Sequence, residues 1–192
     1  GDLTETSIVF QSARDGNIEL YVMDYDGANQ RRLTNFGEMD RHPAWSPDGS
    51  RIVWARGDDF YDISMMNADG THIANLTNDG ATRQSRPEIS PDGSKVVFHA
   101  NAAFDDVWVM DIDGANPANL TNVAGSHDSY ARWFPNGQKI AFTAQRDGHP
   151  QVYIMDADGA NPLNLSNNAA TESEPVPSPD GAKLLFLSDI DG

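Results

Sequence analysis

The sequence predicts an all-β fold, a β-propeller made of four-stranded antiparallel blades. Three recurring landmarks predict it. Ser46-Pro47-Asp48-Gly49 returns as Ser90-Pro91-Asp92-Gly93, Phe134-Pro135-Asn136-Gly137 and Ser178-Pro179-Asp180-Gly181, with the prolines 44 residues apart each time. Met23-Asp24-Tyr25-Asp26-Gly27 is matched by Met66-Asn67-Ala68-Asp69-Gly70, Met110-Asp111-Ile112-Asp113-Gly114 and Met155-Asp156-Ala157-Asp158-Gly159. Leu33-Thr34-Asn35 is matched by Leu76-Thr77-Asn78, Leu120-Thr121-Asn122 and Leu165-Ser166-Asn167. Landmarks in fixed order at a fixed period mark stacked repeat units, and a period of about 44 residues is the size of one propeller blade.

Within a unit the elements follow in order. Strand a runs through Pro43-Ala44-Trp45, with Ile89 and Trp133 in the matching places and Val176-Pro177 in the last unit. The Pro-Asp-Gly turn comes next. Strand b is a short, largely β-branched apolar run: Ile8-Val9-Phe10, Ile52-Val53-Trp54, Val96-Val97-Phe98, Ile140-Ala141-Phe142 and Leu184-Leu185-Phe186. Strand c follows as Leu20 to Met23, the run at Ile63, Val107 to Met110 and Val152 to Met155. Asp-Gly then supplies a tight turn, and strand d ends near Leu-Thr-Asn. No window carries a helical period.

The inventory is four a strands, five b, four c and four d, with Asp191-Gly192 falling in a last b–c turn. One blade leaves its faces exposed, so blades must stack. The segment around Glu174-Pro175-Val176 has two uses: it closes the blade of Ile8, or it opens a further blade. The second is simpler and makes residues 1–192 a single propeller domain or a fragment of a longer array. Open blade edges then favour self-association.

Composition narrows the function. The 192 residues carry 13 Lys and Arg against 29 Asp and Glu, a formal charge of −16. That opposes nucleic acid and membrane surfaces as partners and favours a protein with a basic patch. Cysteine is absent, which excludes disulfides and thiolate metal sites. No apolar run approaches the roughly 20 residues of a membrane span, and no signal peptide is read.

The pattern Pro-x-Trp-Ser-Pro-Asp-Gly at Pro43 to Gly49, with Ile8 to Phe10, Arg14 to Gly16, Tyr21 to Gly27 and Leu33 to Asn35, resembles the TolB-type propeller repeat, a relative of WD repeats. The resemblance covers nearly the whole chain. It implies a non-catalytic protein-docking scaffold in a bacterial periplasm or outside the cell. Relatives with this repeat also include pectic-oligosaccharide lyases and the regulatory propellers of prolyl-oligopeptidase-like enzymes. The alternatives are therefore a lyase or hydrolase working at the channel mouth, or a propeller detached from a peptidase.

Candidate sites follow from positions that diverge while their neighbours repeat. His42 lies five residues before Pro47, and its equivalents are Arg86, Tyr130 and Glu174. These four are expected to line one mouth of the central channel, where a propeller reads a ligand or partner. Arg41, Glu88 and Arg132 extend the patch, with Asp40 and Asp128 close by. The Asp-x-Asp pairs Asp24 and Asp26, Asp111 and Asp113, Asp156 and Asp158 resemble the start of a Ca²⁺ loop without its later Glu. Hairpin turns are their expected role. The acidic b–c turns (Asp15, Asp58, Asp59, Asp105, Asp106, Asp147) read as solvated turn residues. Asn75-Leu76-Thr77, Asn119-Leu120-Thr121 and Asn164-Leu165-Ser166 match the N-glycosylation triplet but read as a strand d consensus. Catalytic elbow, His-Glu-x-x-His and P-loop motifs are absent from the sequence. Trp54 and Trp108 are expected in the core.

Overall fold

The computed structural model describes residues 7–101, 103–146 and 148–190. The described residues form 17 strands and no helix. The first blade holds β1 (Ser7–Ser12), β2 (Glu19–Asp24) and β3 (Arg31–Arg32). The second holds β4 (Met39–Trp45), β5 (Arg51–Gly57), β6 (Asp62–Asn67) and β7 (Ala74–Asn75). The third comprises β8 (Arg83–Ile89), β9 (Lys95–Asn101), β10 (Asp105–Asp111) and β11 (Ala118–Asn119). The fourth comprises β12 (Asp128–Trp133), β13 (Lys139–Ala144), β14 (Gln151–Asp156) and β15 (Leu163–Asn164). Strands β16 (Glu172–Pro177) and β17 (Leu184–Ser188) begin a fifth. Each sheet is ordered as in the chain, and every pairing is antiparallel. The count by strand type agrees with the repeat. Strand β16 pairs with β17 rather than with β1, so the segment at Glu174 opens a further blade and the blades form an open arc. Asp147 and Asp191-Gly192 lie outside the described residues.

Each landmark has a local physical cause. In the a–b turn the Ser46 hydroxyl donates to Asp48 Oδ1 at 2.6 Å, and Asp48 Oδ1 accepts the Ser50 N–H at 3.0 Å. Gly49 takes the left-handed backbone the turn needs, at φ 66°. These bonds hold the Asp48 and Asp92 carboxyls down at about 2. In the c–d turn the first aspartate grips an asparagine five residues on, as Asp24 does Asn29 at 2.7 Å. The second accepts a turn N–H, as Asp26 does from Ala28 at 2.9 Å. The same two bonds recur at Asp111 and Asp113 and at Asp156 and Asp158.

Apolar side chains pack between blades in three clusters. Leu20, Ile52, Trp54 and Met66 join the first two blades; Val53, Ile63, Val96, Phe98 and Met110 join the second and third. Val97, Val107, Trp133, Phe142 and Met155 join the third and fourth. Trp54 is fully buried, whereas Trp108 is partly buried at the edge of its cluster. Burying such aromatics contributes about 2–3 kcal/mol each. Strands β4, β8, β12 and β16 touch in succession, which makes strand a the inner strand of each blade.

Candidate functional site

Every complete a–b pair breaks register at the same place: between Arg41 and Ala44, Ser85 and Glu88, Ser129 and Arg132, and Ser173 and Val176. The break is a β-bulge, which re-aims a side chain. Its residue is His42, Arg86, Tyr130 or Glu174, at φ 52°, 51°, 56° and 56°. The left-handed region costs a residue with a Cβ roughly 1–2 kcal/mol. Glycine and asparagine are the residues that tolerate it. The outer c–d turn obeys this preference in three blades, with Asn29, Asn116 and Asn161 at φ 51–53°, and His72 departs from it at 56°. The inner bulge does not: it carries His, Arg, Tyr and Glu.

At three of the bulges an N–H, of the bulge residue or of the one after it, is met from the preceding blade. His42 N–H donates to Gln11 Oε1 at 2.7 Å, Ala131 N–H to His99 Nε2 at 3.0 Å, and Glu174 N–H to Thr143 Oγ1 at 3.1 Å. Gln11, His99 and Thr143 each follow the strand b aromatic by one residue, where Ala55 stands in the second blade. His99 is nearly fully buried and is a site residue that the divergence argument misses. Its signal was present in the sequence, as a polar residue at a fixed place inside an apolar strand.

Three of the four bulge residues come together. The Arg86 guanidinium lies 4.2 Å from the Tyr130 ring centroid, and the rings of Tyr130 and His99 are 6.2 Å apart. The Arg86 charge is felt at both His42 and His99. Burial, reinforced by Arg86 and Arg41, lowers His42 to about 4. Burial and Arg86 likewise lower His99 to about 3, against an opposing pull from Asp105. Both imidazoles are therefore neutral at pH 7, and His99 Nε2 serves as an acceptor.

Glu88 accepts from Trp133 N–H at 3.2 Å and lies 3.9 Å from Arg132. Burial lifts it to about 7 against those two stabilising partners. Arg41 turns toward the Tyr61 ring of its own blade, at 5.8 Å. Glu174 is exposed, with its N–H on Thr143. Asp40 and Asp128, close to the patch in sequence, turn inward. Both are fully buried, paired with Arg56 at 2.9 Å and Arg146 at 2.8 Å. The cause is their register opposite the end of strand b, one bulge away from the mouth.

The inner bulges thus bring together cations, neutral imidazoles and an aromatic ring. Each aspartate of the Asp-x-Asp pairs gives one oxygen to a turn bond, and Asp111 and Asp156 give the other to Lys95 and Lys139. Among the described residues no group of three or more His, Asp or Glu gathers to hold a metal.

Comparison with known proteins agrees with this architecture. The chain matches the family described as the TolB beta propeller domain over residues 4–131 and 107–192. A TolB homolog from Chlorobaculum tepidum is 49% identical over 49 residues, covering 26% of this chain and 11% of that protein. The Tol-Pal system protein TolB of Desulfosudis oleivorans is 34% identical over 71 residues, covering 35% of this chain and 16% of its own length. These matches span well under a fifth of the relatives. TolB from Acinetobacter baumannii superposes with a TM-score of 0.80 at 22% identity, over 97% of this chain and 47% of that one. An oligogalacturonate lyase in complex with manganese shares the fold at a TM-score of 0.76 and 14% identity, over 97% of this chain and 57% of that one. With repeat, blade order and family match in agreement over nearly its whole length, the chain belongs to the TolB β-propeller family.

Proposed function

We propose that the protein is a non-catalytic docking scaffold of a Tol-Pal type system, acting in the periplasm or outside the cell. The observation that carries this is the inner bulge. Four residues with bulky polar side chains occupy left-handed backbone where glycine or asparagine would relieve strain. Strain held at one aligned position on the inner strands suits a surface kept for recognition. The remaining mouth residues, Arg41, Glu88 and Arg132, flank it. A rigid platform of this kind binds without large rearrangement, and the charge of −16 steers basic partner surfaces toward it. No helix among the described residues is long and apolar enough to cross a membrane.

A catalytic reading of the same mouth needs a free acid–base pair. His99 Nε2 is committed to Ala131 N–H and Glu88 to Trp133 N–H, which favours positioning over proton transfer.

The test separates recognition from folding. Arg86→Gly and His42→Gly remove the side chain and relieve the backbone. Their melting temperatures should hold or rise, because the relief of about 1–2 kcal/mol offsets glycine's entropy cost of roughly 0.5–1 kcal/mol. Affinity for the Pal protein of the same genome, measured by calorimetry, should fall at least about tenfold, a loss of about 1.4 kcal/mol. Unchanged Pal affinity in both variants would remove the mouth as the docking site.

A further inference from the structure

Three blades close the space beside their second strand with an arginine. Arg14 lies 5.2 Å from the Phe10 ring and 4.6 Å from that of Tyr21. Arg146 lies 5.3 Å from Phe142 and 5.1 Å from Tyr153. Arg56 lies 5.2 Å from Trp54 and 3.6 Å from Phe36. Arg56 and Arg146 also neutralise the buried Asp40 and Asp128.

The third blade keeps the aromatic pair and drops the cation. Phe98 stands opposite Trp108, as Phe10 stands opposite Tyr21 and Phe142 opposite Tyr153. Ala100 occupies the register of Arg56: Asp40 faces Arg56 in the second blade, and Gln84 faces Ala100 in the third. In sequence an alanine also falls four residues after Phe98, where Arg14 follows Phe10 and Arg146 follows Phe142. The result is a cavity of about 200 Å³ lined by Phe98, Ala100, Trp108, Gln84 and Asp79. A neighbouring cavity of about 330 Å³ shares Ala100 and Trp108 and adds Asp106.

The polar lining is built to accept. Gln84 is 4% exposed, and its Nε2 donates to Asp79 Oδ2 at 2.6 Å. Its Oε1 is buried with no partner among the described residues. Asp79 takes bonds from Ala81 N–H, from the Thr82 N–H and hydroxyl and from Gln84, and Asp106 takes one from Asn119 at 2.8 Å; neither meets a cation among the described residues. An aromatic face, a buried orphan acceptor and two carboxylates without counter-ions complement a flat delocalised cation.

The geometry points to a docking site for the guanidinium of an arginine on a partner polypeptide, seated against Trp108 and Gln84 where the other blades place their own arginine. This inference rests on the docking reading and gives the basic partner a specific anchor. Gln84 and Arg86 are two residues apart on β8, so anchor and mouth share one strand.

The probe is N-acetyl-arginine amide, titrated while the Trp108 indole N–H is followed by NMR, beside its neutral isostere N-acetyl-citrulline amide. The arginine probe should shift Trp108 saturably in the millimolar range, with citrulline at least about tenfold weaker. Ala100→Arg fills the gap from within and should abolish the response while raising the melting temperature. Gln84→Met removes the orphan acceptor without adding charge and should weaken binding several-fold. The inference is overturned by an unmoved Trp108, by equal binding of citrulline, or by full binding in folded Ala100→Arg. If Ala100→Arg does not fold, unchanged affinity in Gln84→Met overturns it instead. Free L-arginine binding more tightly than the blocked form would overturn a partner side chain as the occupant. Because the probe is a small molecule, its failure removes the anchor and leaves Pal docking at the mouth to its own test.

Discussion

The hydroxyls of Thr34, Thr77, Thr121 and Ser166 accept the backbone N–H of Leu20, Ile63, Val107 and Val152 at 2.9, 3.0, 2.9 and 3.0 Å. They extend the c–d ladder past the two residues of strand d, satisfying N–H groups that would otherwise be buried and unpaired. This accounts for the third landmark and for the glycosylation-like triplet. In the third unit Asn119 spends its amide on Asp106 and its carbonyl on Thr121 N–H, bonds that fix the strand end. Thr121 is 3% exposed, so losing its oxygen strands a donor. Thr121→Val keeps the shape and removes the acceptor, and should cost about 1–3 kcal/mol. Thr121→Ser should cost well under 1 kcal/mol beyond its lost methyl, which is worth about 0.8 kcal/mol. Urea unfolding at pH 7 reads both. Equal stability of the valine variant and the parent would mean the hydroxyl is decoration.

Blades are joined by the turn that ends strand c as much as by the apolar clusters. A Cβ on Gly114 would overlap the Leu76 carbonyl oxygen of the preceding blade, and one on Gly159 would meet Leu120 O at 3.0 Å. The Asp-x-Asp-Gly landmark of one blade therefore nests on the Leu-Thr-Asn landmark of the previous one. Gly27 provides the internal control, since its φ of 85° matches the 88° of Gly114 and, among the described residues, nothing lies within 4 Å of a Cβ built there. Gly27→Ala should cost about 1–2 kcal/mol, the backbone penalty alone. Gly114→Ala adds the steric overlap and should cost a further ~1–3 kcal/mol. Equal midpoints in urea would disprove the nesting. These elements were legible in the sequence because turn chemistry and apolar runs alternate at a constant period. The inner bulge was legible only as divergence. His42, Arg86 and Glu174 each precede proline, a context that biases a residue to extended backbone, so local rules argue against the conformation they adopt.

Across the whole arc, three groups at the inner bulges couple stability to pH with opposite senses. His42 and His99 have folded values below the ordinary 6.5, at about 4 and about 3. The unfolded chain takes up their protons first, so their contribution is complete above pH 6.5 and is lost as pH falls toward 4. Glu88 has the opposite sign. Its folded value of about 7 lies above the ordinary 4.5, so the folded chain binds the proton first and gains stability as pH falls through the same window. The charges facing the histidines are Arg41 and Arg86 at His42, and Arg86, Arg132, Asp105 and His42 at His99. All the cations in that set oppose protonation. Two histidines outweigh one carboxyl, so the melting temperature should drop by on the order of 5 °C between pH 6.5 and pH 4.5. His99→Gln keeps an acceptor for Ala131 N–H and leaves one histidine against one carboxyl of opposite sign, so it should remove most of the drop. Glu88→Gln removes the compensating group and should steepen it. A thermal-shift series in buffers of matched ionic strength reads all three chains. If Glu88→Gln flattens the profile instead, Glu88 is ionised in the folded protein, and Arg132 dominates its surroundings.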